Sequence, residues 1–114
     1  MPLDIQVREA KDVTIMDLKG KIILGAESAS LRETIRNLLS EGKKKILLNL
    51  GNVSFIDSAG VGTLVASFTT ARAAGGELKL NKLTQKFRET LQVTRLLTVF
   101  ESYEDEAEAI RNFQ

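Results

Sequence analysis

A nearly continuous apolar run near the middle of the chain places the strongest limit on its fold. The run is Ile46-Leu47-Leu48-Asn49-Leu50, and three lysines precede it. A strand with one face in solvent alternates apolar and polar side chains, whereas a run of this kind suits a strand that is buried on both sides. The sequence therefore predicts an interior strand with both faces covered.

The segments around this run predict a mixed sheet packed against helices. Residues 3–8 alternate apolar and polar side chains, and strand-like runs follow at 13–18 and 22–24. The links between them are short, with a tight turn predicted at Gly20-Lys21, and short links favour antiparallel pairing. Helices and strands then alternate along the chain. This order predicts an α/β fold, in which a single layer of mixed β-sheet packs against about four helices, mainly on one face.

Two of the helices have candidate N-caps in the sequence. The first helix carries Leu31 and Ile35 on its inner face, and either Ser28 or Ser30 can cap it. The third helix follows Thr84, a favoured N-cap residue. Both helices are predicted to bury one apolar stripe against the sheet.

The C-terminal part predicts one more strand and one more helix. Residues 96–100 form an apolar patch that reads as a short last strand. Ser102 is expected to open a terminal helix with acids in its first turn, at residues 104–106. Acidic side chains at that end of a helix complement its dipole.

Length and composition predict one small domain without thiol or imidazole chemistry. The 114 residues fit a single domain over residues 1–114, and 16 basic against 15 acidic residues leave a net charge of +1. That balance gives no general attraction to nucleic acid or to an anionic membrane. The chain has no cysteine and no histidine, which excludes disulfides, Cys/His zinc sites and Ser-His-Asp triads. With no secretory signal or bilayer-length apolar run, we expect a cytoplasmic protein without a metal or cofactor.

The segment from residue 55 to residue 64 passes from an apolar strand into an amphipathic helix. Asp57 is a favoured N-cap residue, and Ser58 then occupies the first helical position, where a side chain tends to face solvent. Gly60 and Gly62 lower helix propensity, which is costly unless a strand, ligand or partner must approach the backbone. The plainer interpretation is a well-capped helix start whose glycines allow close packing on the sheet.

Three catalytic interpretations fit this segment poorly. A dinucleotide fingerprint beginning at Gly60 would need glycine or alanine where Val65 stands. A P-loop requires a Gly-Lys-Ser/Thr triplet, which the chain lacks. A nucleophile elbow around Ser58 requires glycine in place of Ile56, together with a histidine base. We therefore expect a protein that is not an enzyme.

The run Ile56-Asp57-Ser58-Ala59-Gly60-Val61-Gly62 resembles the signature of the STAS domain, especially that of bacterial anti-sigma factor antagonists. The resemblance extends over essentially the whole chain. Its other features are Gly20 after an apolar strand, the strand Ile46–Leu50, Ala74-Gly75-Gly76 before a strand, and Thr94-Arg95-Leu96 before Val99-Phe100. It implies a small mixed sheet packed against helices.

The resemblance also implies a phosphorylation-controlled switch. The unmodified domain would bind a serine kinase that doubles as an anti-sigma factor, and so release a sigma factor. The kinase would phosphorylate Ser58 and break the complex, and a PP2C-type phosphatase would reset it. The residues implied at the partner surface are Asp57, Ser58, Ala59, Gly60, Gly62, Ile23 and Gly25.

Two other functions stay open at this point. The chain could be a STAS module that serves as a structural subunit of a signalling scaffold or a membrane transport assembly, with Ser58 acting only as part of a capped helix start. A nucleotide-binding enzyme is the third and weakest hypothesis.

Overall fold

The computed structural model of the chain describes residues 3–93 and 100–113. Its five strands form one sheet in the order β1-β2-β3-β4-β5, namely Asp4–Ala10, Val13–Ile22, Lys45–Ile56, Glu77–Asn81 and Ser102–Tyr103. The described residues form four helices, α1 to α4, namely Ala26–Ser40, Ser58–Ala73, Gln85–Val93 and Glu106–Arg111. β1 pairs antiparallel with β2, and the other neighbouring strands pair in parallel. The predicted α/β fold with a mixed sheet is confirmed.

The side chains of the sheet enter two clusters, one on each face. The larger cluster joins alternate residues of β2 and β3 to α1, α2 and α3, and includes Met16, Leu18, Ile46, Leu48, Leu50, Leu31, Ile35, Val61, Leu64, Phe87 and Leu91. The smaller cluster consists of the strand residues Val13, Ile15 and Leu47 together with Ala109 of α4. Because Leu47 points away from Leu48, β3 is covered on both faces, as its apolar run predicted. Three helices lie on one face and α4 on the other.

The turn predicted at Gly20-Lys21 is wrong. β2 runs without interruption from Val13 to Ile22, and its register against β3 shifts between Gly20 and Lys21. Gly20 has φ 120°, a conformation that glycine adopts readily and that a β-bulge can use. The glycine therefore lies at an irregularity inside one long strand and does not separate two short ones.

The predicted N-caps are partly confirmed. Thr84 caps α3, because its Oγ1 accepts a hydrogen bond from the Phe87 N–H at 3.2 Å. The choice of Ser28 or Ser30 for α1 is wrong, since the helix begins at Ala26 with Gly25 in the N-cap position. Gly25 makes no side-chain cap bond.

The end of the chain differs from the expectation. Ser102 lies in β5 and does not open a helix, while α4 begins at Glu106 with Asp105 in the N-cap position. The acids in its first turn are Glu106 and Glu108. Of the strand predicted over 96–100, residues 96–99 lie outside the described residues, and Phe100 is buried in the larger cluster. No helix of the described part combines the length and apolar character that a bilayer-spanning segment needs.

Candidate functional site

The start of α2 has the geometry that the sequence predicts. β3 ends at Ile56, Asp57 is extended with φ −102° and ψ −178°, and α2 begins at Ser58. The Asp57 Oδ1 accepts a hydrogen bond from the Gly60 N–H at 2.7 Å, which satisfies one unpaired donor of the first turn. Ser58 is exposed at the first helical position. The capped helix start is confirmed, and it exposes Ser58 to solvent.

The second carboxylate oxygen of Asp57 binds a different part of the chain. Its Oδ2 accepts a hydrogen bond from the Leu24 N–H at 3.1 Å. The pKa of Asp57 is held below its ordinary value of 3.8, mainly by the hydrogen bond from the Gly60 N–H and next by that from the Leu24 N–H. Both bonds favour the ionised carboxylate. One ionised side chain therefore joins the β2–α1 loop to the start of α2.

The β2–α1 loop, residues 23–25, is tied to the first turn of α1 by hydrogen bonds from Ser28. The Ile23 carbonyl oxygen accepts hydrogen bonds from the Ser28 N–H at 3.2 Å and from the Ser28 Oγ at 2.7 Å. Gly25 has φ 107°, a backbone conformation that residues other than glycine rarely adopt. Ser28 thus lies within the first turn of α1, where it ties the helix to the loop, and is not in the N-cap position.

Gly60 and Gly62 have different structural roles. Gly60 is buried, and a Cβ at this position would lie 2.1 Å from the Ile22 carbonyl oxygen and 2.8 Å from Ile56 Cγ1. Glycine is therefore required there by the close approach of β2 to α2, as the plainer interpretation of the segment expects. A Cβ at Gly62 would meet no atom of the described chain within 4 Å. Packing inside the domain does not explain that second glycine.

The residues implied at the partner surface come together around this helix start. Asp57, Ser58 and Ala59 are continuous with the β2–α1 loop, where Ile23 is half-buried and Gly25 is exposed. Gly62 is exposed one turn further along α2. Gly60 is buried beneath them, so contact with a partner is not what requires glycine at that position.

Sequence reasoning missed Leu24. Its side chain is 76% exposed, although it ends the apolar run Ile22-Ile23-Leu24 that the sequence predicts to be a strand. The strand ends at Ile22, so the last two residues of the run belong to the loop. The available signal was the adjacent Gly25, which marks the point where regular pairing stops.

The arrangement is suited to receiving a modification and poorly suited to catalysis. The adjacent carboxylate, that of Asp57, accepts two backbone hydrogen bonds and has a lowered pKa, which makes it a weak general base for the Ser58 hydroxyl. The chain contains no histidine that could replace it. Among the described residues, no group of three or more acidic side chains is placed to hold a metal ion.

Comparison with known proteins gives a family match over most of the chain. A family model described as the STAS domain matches residues 4–109. The chain is 26% identical to the anti-sigma-B factor antagonist of Bacillus subtilis over 101 residues, which cover 89% of this chain and 91% of the relative.

Solved structures show the same fold. A candidate anti-sigma factor antagonist from Thermotoga maritima superposes with a TM-score of 0.87 at 23% identity, covering 96% of this chain and 93% of the other. The phosphorylated form of the Bacillus cell fate determinant SpoIIAA superposes with a TM-score of 0.73 at 23% identity, covering 95% and 97%. These proteins are regulators, in agreement with the prediction of a domain that is not an enzyme.

Proposed function

The chain belongs to the STAS domain family, and on that basis we propose that it is an anti-sigma factor antagonist switched by phosphorylation of Ser58. The unmodified protein binds a serine kinase that is also an anti-sigma factor, and a sigma factor is released. The kinase then phosphorylates Ser58, and the complex dissociates. A PP2C-type phosphatase restores the binding form. This cycle takes place in the cytoplasm, and the chain acts in it as ligand and substrate.

The phosphoryl transfer needs little from this chain beyond an accessible hydroxyl. The Ser58 oxygen attacks the γ-phosphorus of ATP, the bond from that phosphorus to the bridging oxygen of ADP breaks, and a base of the kinase takes the hydroxyl proton. The supporting observation is that Ser58 is exposed at the first position of α2, beside a carboxylate that is occupied by two N–H donors. The kinase supplies the remaining catalytic groups.

The electrostatics of the site support release without unfolding. A phosphoserine carries about −1.5 to −2 charges at pH 7, and the N-terminal end of a helix stabilises negative charge. The fold therefore tolerates the modification. A partner packed over Ser58 has to desolvate the phosphate together with the ionised Asp57 next to it. A penalty of about 3 kcal/mol would weaken binding more than a hundredfold.

The direct test is phosphorylation by the cognate kinase with ATP, followed by peptide mass spectrometry and a binding assay. We expect phosphate on Ser58 and dissociation of the complex. Ser58→Ala should bind the kinase and stay bound when ATP is added. Ser54→Ala removes another exposed hydroxyl and should behave as the wild type. Phosphate found only at other residues, or release of Ser58→Ala by ATP, would contradict the proposal.

The same experiment separates the switch from a purely structural role. A STAS module that serves as a subunit of a scaffold or transport assembly should bind its partner equally well as Ser58→Ala and Ser58→Asp. The phosphoswitch requires a different result, in which Ser58→Asp binds the kinase more weakly than Ser58→Ala.

A further inference from the structure

We propose that Leu24 is the apolar anchor of the kinase-binding surface, supplying affinity for the kinase while Ser58 supplies control. This inference rests on the proposed function and adds to it the residue that determines binding strength. In the complex, the exposed Leu24 side chain fills an apolar pocket of the kinase beside the kinase active site.

Leu24 is distinguished by its position, and not by its exposure alone. It is 76% exposed, and the other large hydrophobic side chains exposed in the described part of the chain are Val7, Phe55 and Val93. A single exposed leucine is ordinary on a protein surface. The backbone N–H of Leu24, however, lies 3.1 Å from the carboxylate of Asp57, the residue directly before the proposed phosphoacceptor. The backbone of this exposed leucine therefore adjoins the residue that precedes Ser58.

The backbone on both sides of Leu24 is held in place. Ile23 is tied to Ser28 by two hydrogen bonds to its carbonyl oxygen, at 3.2 and 2.7 Å. Gly25 follows in a conformation, φ 107°, that most residues avoid. Because the loop is already ordered, a partner that covers Leu24 loses little affinity to ordering it.

A kinase that reaches Ser58 has to pass close to Leu24. Its active site must place the γ-phosphate of ATP in line with the Ser58 hydroxyl, and this brings protein surface over the neighbouring β2–α1 loop. Gly62 lies four residues after Ser58, on the same side of α2, and no side chain projects there. The surface around Ser58 is thus open on the α2 side and carries a projecting leucine on the loop side. Covering that leucine is worth roughly 10- to 100-fold in affinity.

Two other occupants are less consistent with the surroundings of Leu24. An anionic lipid surface would meet the ionised Asp57 beside the leucine, and that contact is repulsive. A second copy that placed Leu24 against its own counterpart at a twofold axis would also bring the two Asp57 carboxylates together. A kinase must approach Ser58 in any case, and it can carry a basic group opposite Asp57.

The experiment measures steady-state phosphorylation of Leu24→Ser by the cognate kinase. We expect KM to rise about 10- to 100-fold with kcat within about twofold of wild type, because the substitution removes binding energy that substrate and transition state share. The dissociation constant of the unmodified complex, measured by calorimetry, should rise by the same factor. Leu24→Met should restore tight binding. Val7→Ser, which truncates an exposed hydrophobic residue on the edge strand β1, should leave KM and the dissociation constant unchanged.

The outcomes distinguish this inference from the proposed function. Wild-type KM and affinity for Leu24→Ser would overturn the anchor role, even with Ser58 phosphorylated normally. Phosphate absent from Ser58 in the wild-type protein would instead overturn the proposed function. Self-association, or binding to phosphatidylserine vesicles, that is lost in Leu24→Ser while kinase binding persists would also overturn the anchor role. Should Leu24→Ser unfold at a lower temperature than wild type, Leu24→Ala replaces it in the same assays.

Discussion

The carbonyl oxygen of Ile22 lies 2.1 Å from the point where a Cβ at Gly60 would be. The end of β2 and the start of α2 therefore approach each other backbone to backbone. The same part of the chain carries the hydrogen bond from the Asp57 N–H to the Ile22 oxygen at 3.3 Å. This contact determines where Ser58 is presented, because it holds the first turn of α2 against the sheet.

A matched pair of glycine substitutions tests this contact. Gly60→Ala should lower the free energy of unfolding by roughly 1–3 kcal/mol, because the new methyl group overlaps the Ile22 backbone, which cannot move away without disturbing β2. Gly62→Ala should raise it by up to about 1 kcal/mol, since alanine favours a helix and meets no neighbour in the described chain. Urea unfolding measures both values. Equal effects of the two substitutions would show that the backbones of Ile22 and Gly60 leave room for a methyl group.

The ionised Asp57 predicts a pH-dependent stability difference. Because the pKa of Asp57 is lowered in the folded protein, first by the Gly60 bond and then by the Leu24 bond, its contribution is fully present above the ordinary value of 3.8. It is lost as the pH falls through the lower folded value. Asp57→Asn should therefore be less stable than wild type at pH 7, because its amide cannot accept both bonds.

The measurement is urea unfolding of both proteins from pH 7 to pH 2. The difference in the free energy of unfolding between wild type and Asp57→Asn should shrink as the pH falls below about 4. Asp57→Ala loses both hydrogen bonds and should be less stable than Asp57→Asn at pH 7. A difference that stays constant over the whole range would mean that the Asp57 charge does not contribute to folding.

A phosphate-like charge at Ser58 should leave the fold intact. Ser58→Asp places a negative charge at the first position of α2, which the helix dipole stabilises by about 0.3–1 kcal/mol. Ser58→Lys at the same exposed position should be destabilised by a similar amount. Thermal unfolding at low salt compares the three proteins. A melting temperature of Ser58→Asp well below that of wild type would contradict release without unfolding.

The buried amide of Asn81, on the face of the sheet away from α1, α2 and α3, predicts a stabilising substitution. Asp17, Asn49 and Asn81 are register partners in one row across β2, β3 and β4. Asn49 donates to Asp17 at 2.7 Å and accepts from the Gly51 N–H at 3.2 Å. Asn81 is completely buried, and neither atom of its amide group has a hydrogen-bond partner in the described structure. An unpaired buried amide costs about 1–3 kcal/mol.

Valine substitutions at the two asparagines separate these cases. Asn81→Val should raise the free energy of unfolding by about 1 kcal/mol, because it removes an unpaired polar group and favours a strand. Asn49→Val should lower it, since Asp17 and the Gly51 N–H each lose a partner. Chemical denaturation checks both. Destabilisation by Asn81→Val would show that its amide is hydrogen-bonded in solution, for example through an internal water molecule.

The start of α2 could be predicted from the sequence because its determinants are local. Asp57 and Ser58 are adjacent, and the cap bond from Gly60 to Asp57 spans only three residues. The apolar run of β3 likewise predicts by itself that both faces of the strand are buried, since alternate side chains of a strand point to opposite faces. These features depend on neighbouring residues alone, so composition and spacing were sufficient to assign them.

Two of the errors fall where distant segments meet. Whether Gly20 forms a turn or a bulge depends on the parallel pairing of β2 with β3, and Ser102 lies in a strand because it pairs with Leu80 of β4. Both residues suit either local structure. Their neighbours in the fold, and not their neighbours in the chain, decide between the alternatives.

The sequence by itself determined the faces of the helices and strands, the capped position of Ser58 and the absence of thiol or imidazole chemistry. Only the tertiary structure decided that β2 stops at Ile22 and leaves Leu24 exposed beside the helix start. That arrangement depends on a hydrogen bond between Leu24 and Asp57, which are 33 residues apart. A periodic pattern records which side of an element is apolar, but it carries no information about which remote backbone group will meet it.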